Sequence, residues 1–142
     1  MAAVTVQMKG TRQYTLEEIH RIINEKLCGK FRGDIDKAEE VAKTVTAIND
    51  VEIWTLAYEK YYSRVHSCAA LTVVMTEHEQ EQTACVIACA GGSGYANYSR
   101  GTNRDFAKLC VHVLESHGFH VTESDWGMNA EGLFDRFLQF FD

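Results

Sequence analysis

The chain has no proline in 142 residues. Ordinary usage near 5% would place several there. Their absence excludes proline-broken helices and leaves the turns to glycine, asparagine, aspartate and serine. Long hydrophobic runs are lacking too, since no stretch approaches the roughly 18 apolar residues of a membrane helix. The start, Met1-Ala2-Ala3-Val4, has no apolar segment of the signal-peptide kind. The cysteines are Cys28, Cys68, Cys85, Cys89 and Cys110, an odd number scattered through apolar segments. They read as reduced, buried thiols in a cytoplasmic protein rather than as a disulfide framework. Basic residues are outnumbered, with 14 Lys and Arg against 20 Asp and Glu and a net charge of −6. That balance argues against a broad phosphate-backbone footprint and so against nucleic acid as a partner.

Catalytic signatures are also missing. There is no G-x-S-x-G elbow, no H-E-x-x-H and no paired-carboxylate pattern. Cys85 and Cys89 share a strand face but stand roughly 13 Å apart at about 3.3 Å per residue, too far to share a zinc ion. His66 and Cys68 lie roughly 6.5 Å apart along one strand face, with no third group to orient them. The sequence therefore predicts no catalytic residue, no metal and no cofactor, and favours a non-enzymatic protein.

What is present is globular composition, 46% apolar and 24% charged, in a length that suits a single domain over 1–142. Thr15-Leu16-Glu17-Glu18 has the form of a capping box. Leu16, Ile19, Ile22, Ile23 and Leu27 then recur at helical spacing, and Gly29 stands where a C′ glycine is expected, which predicts a helix over 15–28. Thr5–Lys9 reads as a short edge strand. Residues 34–49 fit two readings, helix or strand, with helix early and strand late as one combination. Asn49-Asp50 reads as a turn. Val51–Tyr62, Val65–Thr76 and Thr83–Ala90 then make an antiparallel meander, with Glu77–Gln82 as a glycine-free connection. Thr102 or Asn103 caps a second helix with Phe106, Leu109, Cys110, Val113 and Leu114 in one stripe and Gly118 closing it. A short strand follows over Phe119–Thr122. Ala130, Leu133, Phe134, Phe137, Leu138 and Phe141 then space out a C-terminal amphipathic helix.

The run Val86–Ala90 breaks into Gly91-Gly92-Ser93-Gly94 before Arg100 and Arg104. A dinucleotide fingerprint fails, because Asn97 stands where its third glycine belongs, and the Gly-Lys-Ser/Thr of a phosphate loop is absent. Two readings remain: a hinge carrying the chain from sheet to helix, or an anion or small-molecule site formed by Gly92, Ser93, Gly94, Arg100 and Arg104. At the other end, Phe140 and Phe141 are adjacent and cannot both face inward from one stripe. This marks Phe134, Phe137, Phe140 and Phe141 as a surface for self-association, and residues 119–142 as an extension serving packing or assembly.

Glu59-Lys60-Tyr61-Tyr62, the strand Ala69-Ala70-Leu71-Thr72-Val73-Val74 and the Gly91–Gly94 loop before a helix resemble, over residues 45–118, a family of small uncharacterised bacterial proteins. The resemblance implies no activity and no catalytic residues. The expected fold is α+β, an antiparallel sheet of three to five strands with two helices on one face. The expected function is a self-associating binding or interaction module, with a ligand site at the glycine loop as the alternative.

Overall fold

Burial alternates with period two over residues 4–8, 53–58, 69–75 and 82–88, which places one face of each of those four strands in a common core. A computed structural model describes residues 3–29, 37–62, 67–90 and 96–126. The elements are β1 (Val4–Thr11), α1 (Leu16–Cys28), β2 (Glu39–Ile48), β3 (Val51–Tyr62), β4 (Ser67–His78), β5 (Glu81–Ala90), α2 (Ala96–Glu115) and β6 (Phe119–Asp125). The strands form one antiparallel sheet in the order β2-β3-β4-β5-β1-β6. Register aligns Leu56, Val73, Val86 and Val6 across four strands, and all four are fully buried. Leu16, Ile19 and Ile23 of α1 and Phe106, Cys110 and Leu114 of α2 complete that core.

The expected sheet of three to five strands is corrected to six. The sixth strand is β2, inside the stretch that fitted helix or strand, and the strand expected over Phe119–Thr122 runs on to Asp125 as β6. Helical cover is also less even than expected. α2 packs over β5, β1, β4 and β6, whereas α1 packs beside α2 and reaches β4, the Tyr58 and Trp54 side chains of β3 and Glu40 at the beginning of β2. β2 thus overhangs, with Val41, Val45 and Ile48 exposed. β1 is not an edge strand, since it lies between β5 and β6. Its brevity hid the fact that both of its backbone edges are paired.

The α1 cap is as the spacing predicts: Thr15 accepts a hydrogen bond from the Glu18 amide at 3.0 Å. Its far end differs, because Gly29 has φ −69° and leaves the helix extended. The last turn is closed instead by the Ala38 amide donating to the Leu27 carbonyl at 2.9 Å. Gly118 does take positive φ, +97°. α2 starts at Ala96, so Thr102 and Asn103 are buried inside the helix rather than capping it. The connection predicted over Glu77–Gln82 shrinks to Glu79-Gln80, with φ +48° and +68°, matching the +49° and +66° of Asn49-Asp50. Both are two-residue hairpin turns whose twist suits the flanking strands. The proposed C-terminal helix and the Gly91–Gly94 hinge lie outside the described residues.

Candidate functional site

Between α1 and β2–β3 lies a polar cluster that the sequence did not reveal. The buried Tyr58 hydroxyl donates to Asn24 Oδ1 at 2.5 Å, and Asn24 Nδ2 donates to Glu40 Oε2 at 3.0 Å. The other carboxylate oxygen of Glu40 lies 2.8 Å from His20 Nε2, and the His20 ring tilts against Trp54. Burial, reinforced by the Glu40 charge, pushes Tyr58 ionisation well above its ordinary range. Burial also raises the Cys28 thiol, a hydrogen bond from the Glu40 backbone offsetting only part of it. Tyr58 is therefore a hydrogen-bond donor and Cys28 a protonated thiol at neutral pH, while both Glu40 oxygens are engaged. This arrangement fixes α1 on the sheet and offers no free nucleophile or base.

The cluster makes a measurable prediction. Asn24→Ala leaves the buried Tyr58 hydroxyl without its acceptor, which should cost about 2 kcal/mol in urea denaturation. Adding Tyr58→Phe should recover part of that loss, so the double variant costs less than the two single losses added together.

The residues expected to form an anion site are only partly placed. Gly92, Ser93 and Gly94 lie outside the described residues, and Arg100 falls in α2 without a described side chain. Arg104, one turn later, is half-buried on α2. Neither of two surface cavities includes Arg104. One, of about 590 Å³, runs between the helices and is lined by Leu27, Leu109 and Val113 among others. The second, of about 470 Å³, lies at the end of β1, β5 and β6 beside Lys9, Gln82 and His120. Among the described residues no three His, Cys, Asp or Glu side chains converge as a metal site requires. Of the cysteines, Cys68 is exposed, Cys85 and Cys89 are half-buried on one face of β5, and Cys110 is fully buried, its thiol pushed up to about 12 by burial.

The helix-free face of the sheet has the more unusual chemistry. Register lays it out in three rows across β2, β3, β4, β5 and β1: Ala42-Ala57-Thr72-Ile87-Thr5, then Thr44-Thr55-Val74-Cys85-Gln7, then Thr46-Ile53-Thr76-Thr83-Lys9. Of these fifteen positions only Lys9, at a corner, is charged. A solvated antiparallel face normally alternates polar and charged residues outward. Here the centre is threonine and small or branched apolar side chains, and the Thr76 and Thr83 hydroxyls bond to each other. Charge returns immediately outside the rows, at Glu39 and Glu59 on one side and His78 and Glu81 on the other. Among the described residues no element covers this face. The signal was readable in the sequence as the unbroken apolar and threonine runs of β4 and β5. Taken strand by strand it does not assemble a face, because the register that aligns the strands is set by pairing.

No helix among the described residues is long and apolar enough to cross a membrane. No curated protein matches the chain. A family model described as a family of unknown function, DUF6054, does match, over residues 1–118. The match reaches the N-terminus, further than the resemblance over residues 45–118, and stops at the end of the α2 turn, so β6 lies beyond it. From β1 through Gly118, and so over most of its length, the chain belongs to the DUF6054 family of unknown function.

Proposed function

We propose that this protein is a non-enzymatic interaction module whose helix-free sheet face binds a second copy of itself. The fifteen-position patch, uncharged except for Lys9 at its corner, carries the reading. Strands about 4.8 Å apart and same-face residues about 6.7 Å apart give the patch on the order of 500 Å². Two copies would then bury on the order of 1,000 Å², the size at which a specific interface becomes plausible by area. A charge-depleted centre with a charged border is the usual anatomy of such a contact. A patch whose interior carries no charge is also self-complementary under a two-fold axis, because no like charges meet at its centre. The protonated thiols and the fully engaged Glu40 support a binding role over catalysis.

Light scattering across a concentration series tests this. The full chain should reach twice its monomer mass, and Val74→Asp, placing a charge in the central row, should weaken the association at least about 100-fold, as burying an unpaired charge requires. Far-UV circular dichroism of that variant should match the parent. A full chain that stays monomeric at every accessible concentration would overturn the reading. An association untouched by Val74→Asp but lost on truncation after Trp126 would move it to Phe134, Phe137, Phe140 and Phe141.

A further inference from the structure

β2 forms one edge of the sheet, and among the described residues β3 is its single strand neighbour. Natural edges are blunted by charge, proline, bulges or cover. The opposite edge, β6, shows two of these devices: it carries Glu123 and Asp125, and its register with β1 shifts between Gln7 and Met8. β2 is less guarded. Its bulge lies at one end, between Glu40 and Ala42, and from Ala42 to Ile48 the ladder is regular, with Lys43 as the one charged residue. Val45 and Ile48 are exposed on that stretch.

The hairpin turn determines which backbone groups face outward. Asn49-Asp50 is a two-residue turn, so Ile48 and Val51 beside it exchange both hydrogen bonds. By alternation Thr46, Thr44 and Ala42 also face β3, and the N–H and C=O groups of Ala47, Val45 and Lys43 point away from the sheet. Val45 is the midpoint of Ala42–Ile48. A two-fold axis through it, normal to the sheet, sets Val45 opposite its own copy, Lys43 opposite Ala47 and Ala42 opposite Ile48, using the whole regular stretch. The outward groups then face one another in about six backbone hydrogen bonds. The two exposed Val45 side chains cover each other, and on the open face Thr44 meets Thr46, a favourable cross-strand pair.

Charge selects the same register. Lys43 Nζ lies 5.8 Å from the Trp54 ring centre, and the Trp54 indole donates to Glu52 Oε1 at 2.5 Å, so Lys43 and Glu52 share the helix side of the sheet. Ala47 stands opposite Glu52 in β3. With the axis at Val45, the Lys43 side chain of each copy therefore points across a small alanine toward Glu52 of the other. An axis at Lys43 would instead oppose two lysines. The helices leave room for the neighbour, because α1 reaches only Glu40 of β2, outside the paired stretch.

We propose that Ala42–Ile48 pairs with the same stretch of a second copy, antiparallel about Val45, so that one sheet continues through two molecules. This contact uses backbone groups in the plane of the sheet, whereas the proposed face contact uses side chains normal to it, and neither requires the other. Seven residues a side make it the smaller of the two, so it forms at higher concentration.

Amide exchange tests this in the full chain and in Val74→Asp, which lacks the face contact, so that failure of one interface is told apart from failure of the other. From dilute to concentrated Val74→Asp, exchange at Lys43, Val45 and Ala47 should slow at least about tenfold, while Thr44 and Thr46, bonded to β3, stay protected throughout. Light scattering should rise toward twice the monomer mass over the same range. In that background Val45→Pro removes an outward donor and no bond to β3, so it should abolish both effects with an unchanged far-UV circular dichroism spectrum. Lys43→Glu should weaken the association about tenfold, and adding Glu52→Lys should restore it. Outward amides that exchange freely at every concentration would overturn the proposal. So would protection that ignores concentration, or an association indifferent to both Val45→Pro and Lys43→Glu.

Discussion

Gly10→Ala is expected to destabilise the fold by on the order of 3 kcal/mol or more, the range reserved for defects that the surroundings cannot absorb. A Cβ at Gly10 would lie 2.2 Å from the Gly118 carbonyl oxygen, 3.0 Å from its carbonyl carbon and 3.2 Å from Phe119 Cα. All three are backbone atoms, so no side-chain rotation relieves the overlap. Gly10 pairs with Phe119 at the start of β6, and Phe119 is buried. Relief therefore requires β6 to separate from β1, pulling Phe119 out of the core, or the turn at Gly118 to move. That turn is held in its own positive-φ conformation, with the Gln13 side chain against it. Gly29→Ala is the control, because Gly29 sits at φ −69° in an extended conformation open to any residue. It should be neutral, or more stable by about 0.5 kcal/mol through the reduced entropy of the unfolded chain. Urea denaturation of the two variants separates a steric requirement from mere glycine content; equal stabilities would show that the β1–β6 approach is not tight in solution.

The second large effect is loss of stability in alkali. An unfolded thiol titrates near 9.0, whereas burial holds the Cys110 proton in the fold until about 12. Between those values the unfolded chain binds fewer protons than the folded one, so stability falls as pH rises. Below 9.0 the contribution is fully present, and it is lost progressively up to about 12, with a limiting slope of about 1.4 kcal/mol per pH unit for one proton. Burial shifts Cys28 and Cys85 in the same direction, and Tyr58 as well. The melting temperature should thus be flat through neutrality and drop steeply above pH 9. Cys110→Ala should cost about 1 kcal/mol at pH 7 through lost packing and make the alkaline fall shallower. An alkaline slope identical in parent and variant would show that Cys110 exchanges its proton without unfolding.

Much of the local structure was legible because it depends on near neighbours. The α1 helix follows from one stripe, Leu16, Ile19, Ile23 and Leu27, behind a threonine cap whose hydroxyl accepts from Glu18. The β3-β4-β5 meander follows from strands that are neighbours in sequence, and antiparallel neighbours of that kind pair without distant partners. What failed was long-range or finely balanced. β1 looked like an edge because nothing local announces that both β5 and β6 will pair with it. β2 was ambiguous because Ala38, Val41, Ala42, Val45 and Ile48 fit helical spacing. Its pairing with β3 along the whole strand settled the matter, overriding weak propensity. α2 starts earlier than the Thr102 cap implied, since burial of Thr102 and Asn103 within the helix outweighs their preference for its end.

Candidate sites divided the same way. Gly92, Ser93, Gly94, Arg100 and Arg104 attracted attention through residue type alone, and a glycine loop before a helix serves topology as well as binding. The Tyr58-Asn24-Glu40-His20 cluster joins residues up to 38 positions apart, a separation that no spacing rule connects.

By itself, then, the sequence determined the class of object: a chain without proline or membrane-length runs, apolar enough to build a core, with helices and hairpins encoded by their own periodicity. It also determined that the outward positions of β3, β4 and β5 carry almost no charge. Only the tertiary structure decided that these positions align into a single face across five strands. A strand's alternation says which residues share a side, but the register that lines one strand up with the next is set by pairing between segments far apart in the chain.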